Sequence, residues 1–204
     1  MVVSGTEGYA EEAATLLERY ESIAFETVHR QVMHLFPEAP CAVLDIGAGT
    51  GRDAAWFAER GDRVVAVEPT EAMRAGAMRL HPSQSIEWVD DSLPDLRVMR
   101  ARGELFDLIS MSAVWMHLDA RQRAAGMPNV AALLRDGGLL ALSLRHGPVP
   151  SGRRMFEVSA QETIDIAAAH GLRAVVNARV TSATKEGVTW DRLALLRDRA
   201  AEGR

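Results

Sequence analysis

Apolar residues along the chain switch repeatedly between helical and strand spacing. From Glu11 to Phe36, Leu16, Leu17, Tyr20, Ile23, Val28 and Val32 recur near the helical period, and Pro37 and Pro40 close the segment. This predicts a helical N-terminal segment with one break. Short apolar runs then alternate with amphipathic stretches. Strands are predicted at Ala42 to Ile46, Arg63 to Val67, Ile86 to Val89, Phe106 to Val114 and Leu139 to Leu144. Helices are predicted between them at Asp53 to Arg60, Thr70 to Leu80, Pro94 to Arg102 and Arg121 to Leu134, the last stopped by a Gly137-Gly138 turn, with another at Ala160 to His170. The rhythm changes at the end, where Leu172 to Thr181 and Val188 to Leu196 are extended runs joined around Lys185-Glu186-Gly187, a hairpin pattern. Five strand-helix units followed by a hairpin predict an α/β fold. Its sheet is doubly wound, seven-stranded and mostly parallel, with an antiparallel C-terminal hairpin.

Composition suits one domain. The chain has 204 residues, 48% apolar and 25% charged, enough to bury a full core. No run of eighteen apolar residues occurs, and the start, MVVSGTEGYAEE, lacks a basic flank followed by an apolar stretch, so neither a membrane span nor a signal peptide is expected and a cytoplasmic location is. A net charge of −5 and a pI near 5.7 argue against a broad nucleic-acid footprint. A local arginine patch such as Arg97, Arg100 and Arg102 could still contact phosphates. The single cysteine, Cys41, reads as packing at a strand edge, and six scattered histidines with one cysteine make no metal site.

The chemistry concentrates in VLDIGAGTGRDAAWF, residues 43 to 57, where Gly47, Gly49 and Gly51 sit between a strand and a helix with Asp45 just ahead. Glycine serves where the backbone turns left-handed or where a ligand presses on it. A dinucleotide fingerprint needs a third glycine at position 52, but Arg52 stands there, and no Gly-Lys-Ser or Gly-Lys-Thr follows to make a phosphate loop. The second strand ends in VVAVEP, which places Glu68 beside the first strand's tip, where a carboxylate can accept from both hydroxyls of a ribose. The third ends in IEWVDDSLPDL, with Asp90 and Asp91 at the same edge, able to accept from an exocyclic amine or to cap a helix.

These stretches, together with FDLISMSAVWMHL and LLRDGGLLALSL, resemble the class I S-adenosylmethionine (SAM)-dependent methyltransferases in order and spacing over roughly residues 41 to 145. The resemblance implies the Rossmann-like methyltransferase fold, with a helical cap over 1–40, a cofactor-binding core over 41–145 and a C-terminal helix and hairpin over 146–204. It implies S-adenosyl-L-methionine as cofactor. Gly47, Ala48, Gly49 and Gly51 would run past its methionine part, Asp45 would lie near the amino group, Glu68 with Pro69 would hold the ribose, and Asp90 or Asp91 with Ser92 would meet the adenine. A cofactor without phosphates needs no lysine in its site, and its positively charged sulfonium tolerates an acid-lined pocket. Arg52 is read either as a partner for the cofactor's carboxylate or as a solvated side chain.

On the acceptor side, His117 is a candidate general base and equally a structural histidine before a helix that Asp119 would cap. Tyr20, Trp115, Arg145 and His146 are candidate substrate contacts, Arg145 for an anion, with core packing or solvent exposure as the alternative for each. Tyr9 and His29 share the N-terminal segment that often covers the site in this family. The expected activity is methyl transfer to a small molecule. A tRNA or protein acceptor, or a non-catalytic SAM-binding module, is the alternative. A nicotinamide-dependent oxidoreductase is disfavoured by Arg52.

Overall fold

In the computed structural model, which describes residues 5–182 and 184–198, the N-terminal segment forms two helices, α1 (Ala13–Glu21) and α2 (Phe25–His29), then a 3-10 turn at Met33–Leu35. It breaks twice rather than once, the first time where Ala24 turns extended (φ −59, ψ 140) as the cap of α2. β1 (Ala42–Ile46), α3 (Arg52–Glu59), β2 (Arg63–Val67), α4 (Glu71–Leu80) and β3 (Ile86–Val89) follow in the predicted alternation. α5 covers only Arg97–Arg102, because Leu96 sits in left-handed backbone at φ 46 and the helix starts after it. β4 (Phe106–Met111) stops short of Val114, and a 3-10 turn at Trp115–His117 leads into α6 (Ala120–Ala132). Asp119 caps α6 reciprocally with Gln122, each side chain accepting from the other's backbone amide. β5 (Leu134–His146), α7 (Ala160–Ala168), β6 (Leu172–Thr181) and β7 (Thr189–Arg197) complete the described elements.

Gly137 and Gly138 do not stop α6. The helix has ended at Ala132 and β5 is already paired at Leu134. The register against β4 then jumps from Phe106 with Leu134 to Leu108 with Leu139, a bulge that takes in both glycines.

The strands pair in the order β3-β2-β1-β4-β5-β7-β6. The first five are parallel, and β7 is antiparallel to both β5 and β6. The hairpin therefore places β7 inside the sheet and leaves β6 at its edge. Winding reverses between β1 and β4, and the loops leaving these two neighbours diverge over the carboxyl edge to leave a crevice.

Burial on both faces explains why β1 reads as an unbroken buried run. Ile46, Val67, Leu140 and Leu142 belong to the core that includes Met127 and Val130 of α6 and Ala167 of α7. Val43, Val64, Leu108 and Ala141 share a second core with Phe25 of α2 and Phe57 of α3. Phe25 stacks on Trp56 with centroids 3.9 Å apart and meets Phe57 edge-on at 5.3 Å, which clamps α2 to α3. α1 lies instead on α4, with Leu16 buried against Met73 and Leu17 over Gly76, where a Cβ would come within 2.3 Å of Leu17 Cδ1. None of the described helices is long and apolar enough to cross a membrane.

Candidate active site

A cavity of about 710 Å³ lies over the carboxyl ends of β1, β2, β4 and β5, roofed by the N-terminal segment. That is a common size for small-molecule sites, which span about 300–1,000 Å³. The glycine turn forms part of its floor. Gly47, Gly49 and Gly51 all take left-handed φ (72, 58 and 84), yet they answer to different neighbours. A Cβ on Gly47 would lie 2.5 Å from Val114 Cγ2 and one on Gly51 2.8 Å from Trp88 Cη2, so packing within the protein demands both glycines. At Gly49 a Cβ would meet only the Gly47 carbonyl oxygen, at 3.9 Å, and this residue lines the cavity. Gly51, expected beside the cofactor, does not line it, because it is turned against Trp88.

The turn spends its amides internally. Gly47 and Ala48 both donate to the Val67 carbonyl (2.8 and 3.0 Å), Gly51 donates to Ala48 (2.9 Å), and Gly49 donates to Glu68 Oε2 (2.9 Å). Glu68 also accepts from Thr70 through Oε1 at 2.7 Å. Burial raises the Glu68 carboxyl above its usual range, and the two amides offset this only in part. Pro69, Asp91 and Ser92 line the same part of the cavity. The Asp91 carboxylate accepts from the amides of Ser92 (2.9 Å) and Met99 (3.0 Å), so it ties down the loop before α5 while facing the cavity. Asp90 is a correction. It is exposed, pairs with Arg74 at 3.2 Å and does not line the cavity.

Beneath the turn is a buried charge cluster. Asp53 accepts from Arg52 Nε (2.7 Å) and pairs with His29 Nε2 (2.7 Å). Burial alone would raise the Asp53 carboxyl, but His29 and Arg52 outweigh it and hold it below the carboxylate range. Arg52 is thus bonded rather than free in solvent, with a further contact to the Tyr20 carbonyl at 3.4 Å, and it is half-buried in the cavity lining. Asp45 is 2% exposed and its Oδ2 has no partner. Burial first, and the Asp53 charge second, push its carboxyl well above the usual value. Asp45 is an acceptor waiting for a donor, and it lines the cavity.

The acceptor-side candidates divide. Tyr20, Arg145 and His117 line the cavity. His117 lies within hydrogen-bonding distance of the Arg154 carbonyl through Nδ1 (2.7 Å) and of the Tyr9 hydroxyl through Nε2 (3.1 Å). A carbonyl can only accept, so Nδ1 carries the proton and the neutral ring accepts from Tyr9. Burial, only partly countered by Arg154, lowers the His117 pKa and keeps it neutral. Trp115 is wholly buried in the core and does not reach the cavity, because the 3-10 turn rotates it inward. His146 is also absent from the lining. It sits on the opposite face of β5 from Arg145, within 2.8 Å of Asp191 Oδ2, an aspartate also gripped by Arg179. Arg192, Lys185 and Arg153, none of them singled out from the sequence, line the cavity too. Arg192 had one sequence signal, a charged residue inside the apolar run of β7. The Arg97–Arg102 patch is partly neutralised by Asp95 and Glu87. Among the described residues, no cluster of three or more His, Cys, Asp or Glu is placed to hold a metal.

Residues 43–138 match the model of a methyltransferase-domain family. Over that span the chain carries a methyltransferase domain similar to those of the class I SAM-dependent methyltransferases. Over 116 residues the chain is 33% identical to an uncharacterized methyltransferase of Mycobacterium tuberculosis, a match covering 53% of this chain and 41% of the relative. The chain thus spans less than half the length of the curated relatives it matches. In fold it is similar to the 1,6-didemethyltoxoflavin-N1-methyltransferase of Burkholderia thailandensis, solved with 1,6-didemethyltoxoflavin and S-adenosylhomocysteine, at TM-score 0.64 and 23% identity over 97% of this chain and 92% of that one. It is also similar in fold to the [4+2]-cyclase SpnF, at TM-score 0.68 and 13% identity over 90% of this chain and 81% of that one. The fold therefore serves more than one chemistry, and the activity has to be argued from the site.

The state of Asp45 gives a first test. Its folded pKa is raised, so its contribution to stability is fully present below the unfolded value near about 3.9 and is lost as pH rises through the folded pKa. Asp45→Asn removes that loss. Thermal unfolding of the ligand-free protein should show the variant at least as stable as wild type at about pH 8, with its advantage shrinking toward about pH 4. A variant clearly less stable at the higher pH would contradict the assignment of an unpaired buried carboxylate.

Proposed function

We propose that this protein transfers a methyl group from S-adenosylmethionine to a small-molecule acceptor by in-line displacement. The observation that carries the reading is the spent glycine turn. With the amides of Gly47, Ala48, Gly49 and Gly51 bonded within the protein, they are not left to cradle a pyrophosphate, while Asp45, Glu68 and Asp91 present carboxylates to the cavity. Such a lining suits a phosphate-free nucleoside that carries positive charge. In this reading Asp45 Oδ2 takes the cofactor's ammonium, which gives its orphaned oxygen a donor. Glu68, already anchored by two amides, uses its remaining lone pairs on the ribose hydroxyls. Asp91 and Ser92 stand where the adenine would lie. Bound there, the cofactor supplies an activated methyl group. The chain's own contribution is alignment, holding the acceptor atom in line and excluding water, and this supplies much of what such a displacement needs.

His117 is a positioning residue in this account. Its basic nitrogen already accepts from Tyr9, so it fixes the Tyr9 ring at the cavity wall and joins the N-terminal segment to the loop carrying Arg154. A cytoplasmic enzyme acting on metabolite-sized acceptors fits the acidic balance and a cavity of about 710 Å³.

Two outcomes follow. Glu68→Ala should weaken S-adenosylhomocysteine binding, read by calorimetry, by about 1.5–3 kcal/mol, the range for hydrogen bonds to a charged group. Unchanged affinity in a folded variant would remove Glu68 from the site. His117→Ala should lower stability by about 1–3 kcal/mol, yet keep kcat within about tenfold of wild type for any acceptor found by labelled-methyl incorporation, with no neutral-pH limb lost. A folded variant slowed about a thousandfold, with that limb missing, would make His117 a general base instead.

A further inference from the structure

Charge is distributed unevenly around the cavity. Apart from Glu12, which pairs with Arg153, the lining carboxylates follow β1, β2 and β3, where Arg52 is already bonded to Asp53, whereas the β5-β7 side presents cations without carboxylates. Elsewhere the arginines are matched, Arg60 by Asp62, Arg63 by Glu104, Arg123 by Glu162 and Arg135 by Asp107. Arg145, Lys185 and Arg192 line the cavity and form no ion pair with any described carboxylate. Arg145 has only a 3.5 Å contact to the Gly147 carbonyl. Arg192 is 8% exposed, and its buried Nε has no hydrogen-bond partner. A guanidinium taken from water without a carboxylate is costly and in want of an anion.

The strand register explains how they meet. Arg145 pairs with Trp190 across β5 and β7, and Ser143 pairs with Arg192, so all four stand on one face of the sheet. The Arg192 guanidinium lies 4.9 Å from the Trp190 ring centroid, and Trp190 is the register partner of Arg145. Lys185 comes from the β6-β7 turn. Its ammonium is weakened first by burial and then by the charges of Arg19 and Arg145, which gathers a third and fourth cation at the same mouth. Val180 and Met155 supply apolar wall. A cofactor with one carboxylate would satisfy one of these cations and leave the others.

Resting on the methyltransferase reading, we propose that the acceptor is a small organic anion, an apolar body packed on Trp190 whose oxyanionic group is held by Arg145, Arg192 and Lys185. The planar, forked guanidinium is suited to carboxylate and phosphate alike. These residues would then determine which acceptor is chosen, not how fast the methyl moves.

The test begins with S-adenosylhomocysteine titrated into the wild-type protein and each variant. No binding to wild type would overturn the methyltransferase reading itself. On the saturated protein, 4-hydroxybenzoate, 4-hydroxyphenyl phosphate and the neutral 4-hydroxybenzamide are titrated. At least one anionic probe should bind about tenfold or more tighter than the amide, and its identity separates carboxylate from phosphate recognition. Arg145→Gln and Arg192→Gln should each reduce that preference toward parity while S-adenosylhomocysteine affinity is retained. Should Arg192→Gln fail to fold, Arg145→Gln combined with Lys185→Gln gives the same readout from the cavity mouth. An amide that binds as well as the anions, no anion bound at all, or variants that keep the preference would each overturn the proposal.

Discussion

The clasp made by Glu68 is the contact on which the site depends. One carboxylate at the end of β2 accepts from Gly49, in the loop after β1, and from Thr70, at the start of α4. It thereby fixes the glycine turn against its neighbouring strand and faces the cavity with the same group. Because the clasp is buried, its two charge-assisted hydrogen bonds are worth more than exposed ones, and losing either amide would leave a costly unpaired group. The parallel register of β1 with β2, Ile46 beside Val67, is what brings the partners within reach. The aromatic clamp of Phe25, Trp56 and Phe57 performs a related task below, pressing α2 onto α3 so that His29 meets Asp53.

From that clasp the electrostatics of the cavity follow. A turn that satisfies its own amides has little left for a phosphate and leaves recognition to side chains. Those side chains are sorted by the sheet. β1, β2 and β3 lead into the acids Asp45, Glu68 and Asp91, and β5 and β7, beyond the reversal between β1 and β4, carry Arg145 and Arg192. Asp45, with an oxygen left bare, and Arg192, with a bare nitrogen, are buried groups whose desolvation the ligand-free protein does not repay. Retaining such groups costs stability and makes sense where a ligand completes them.

Much of this was legible in the chain because it is local. Strand-turn-helix periodicity located β1, β2 and the glycine turn, and the acid at each strand tip can be counted from it, which is why Asp45 and Glu68, both in the cavity lining, are legible in the chain. Period two along β5 was also readable, but which face looks at the cavity depends on distant partners. Arg145 and His146 therefore looked equivalent until Asp191 claimed the histidine. Trp115 failed for a similar reason, since a single 3-10 turn decides whether it faces the core or the cavity. The glycines at 137 and 138 resembled a helix stop, whereas they relieve a bulge that exists only because β5 pairs with β4. Arg192 and Lys185 lie far along the chain from the motif and reach the cavity only because β7 inserts beside β5.

The central claim is that an acid-lined turn with its amides already bonded takes a sulfonium nucleoside rather than a pyrophosphate cofactor. Titration calorimetry of the purified protein with S-adenosylmethionine and with NAD tests it most directly. The account predicts saturable one-to-one binding of S-adenosylmethionine and no binding heat with NAD. Saturable NAD binding in the absence of any response to S-adenosylmethionine would contradict it.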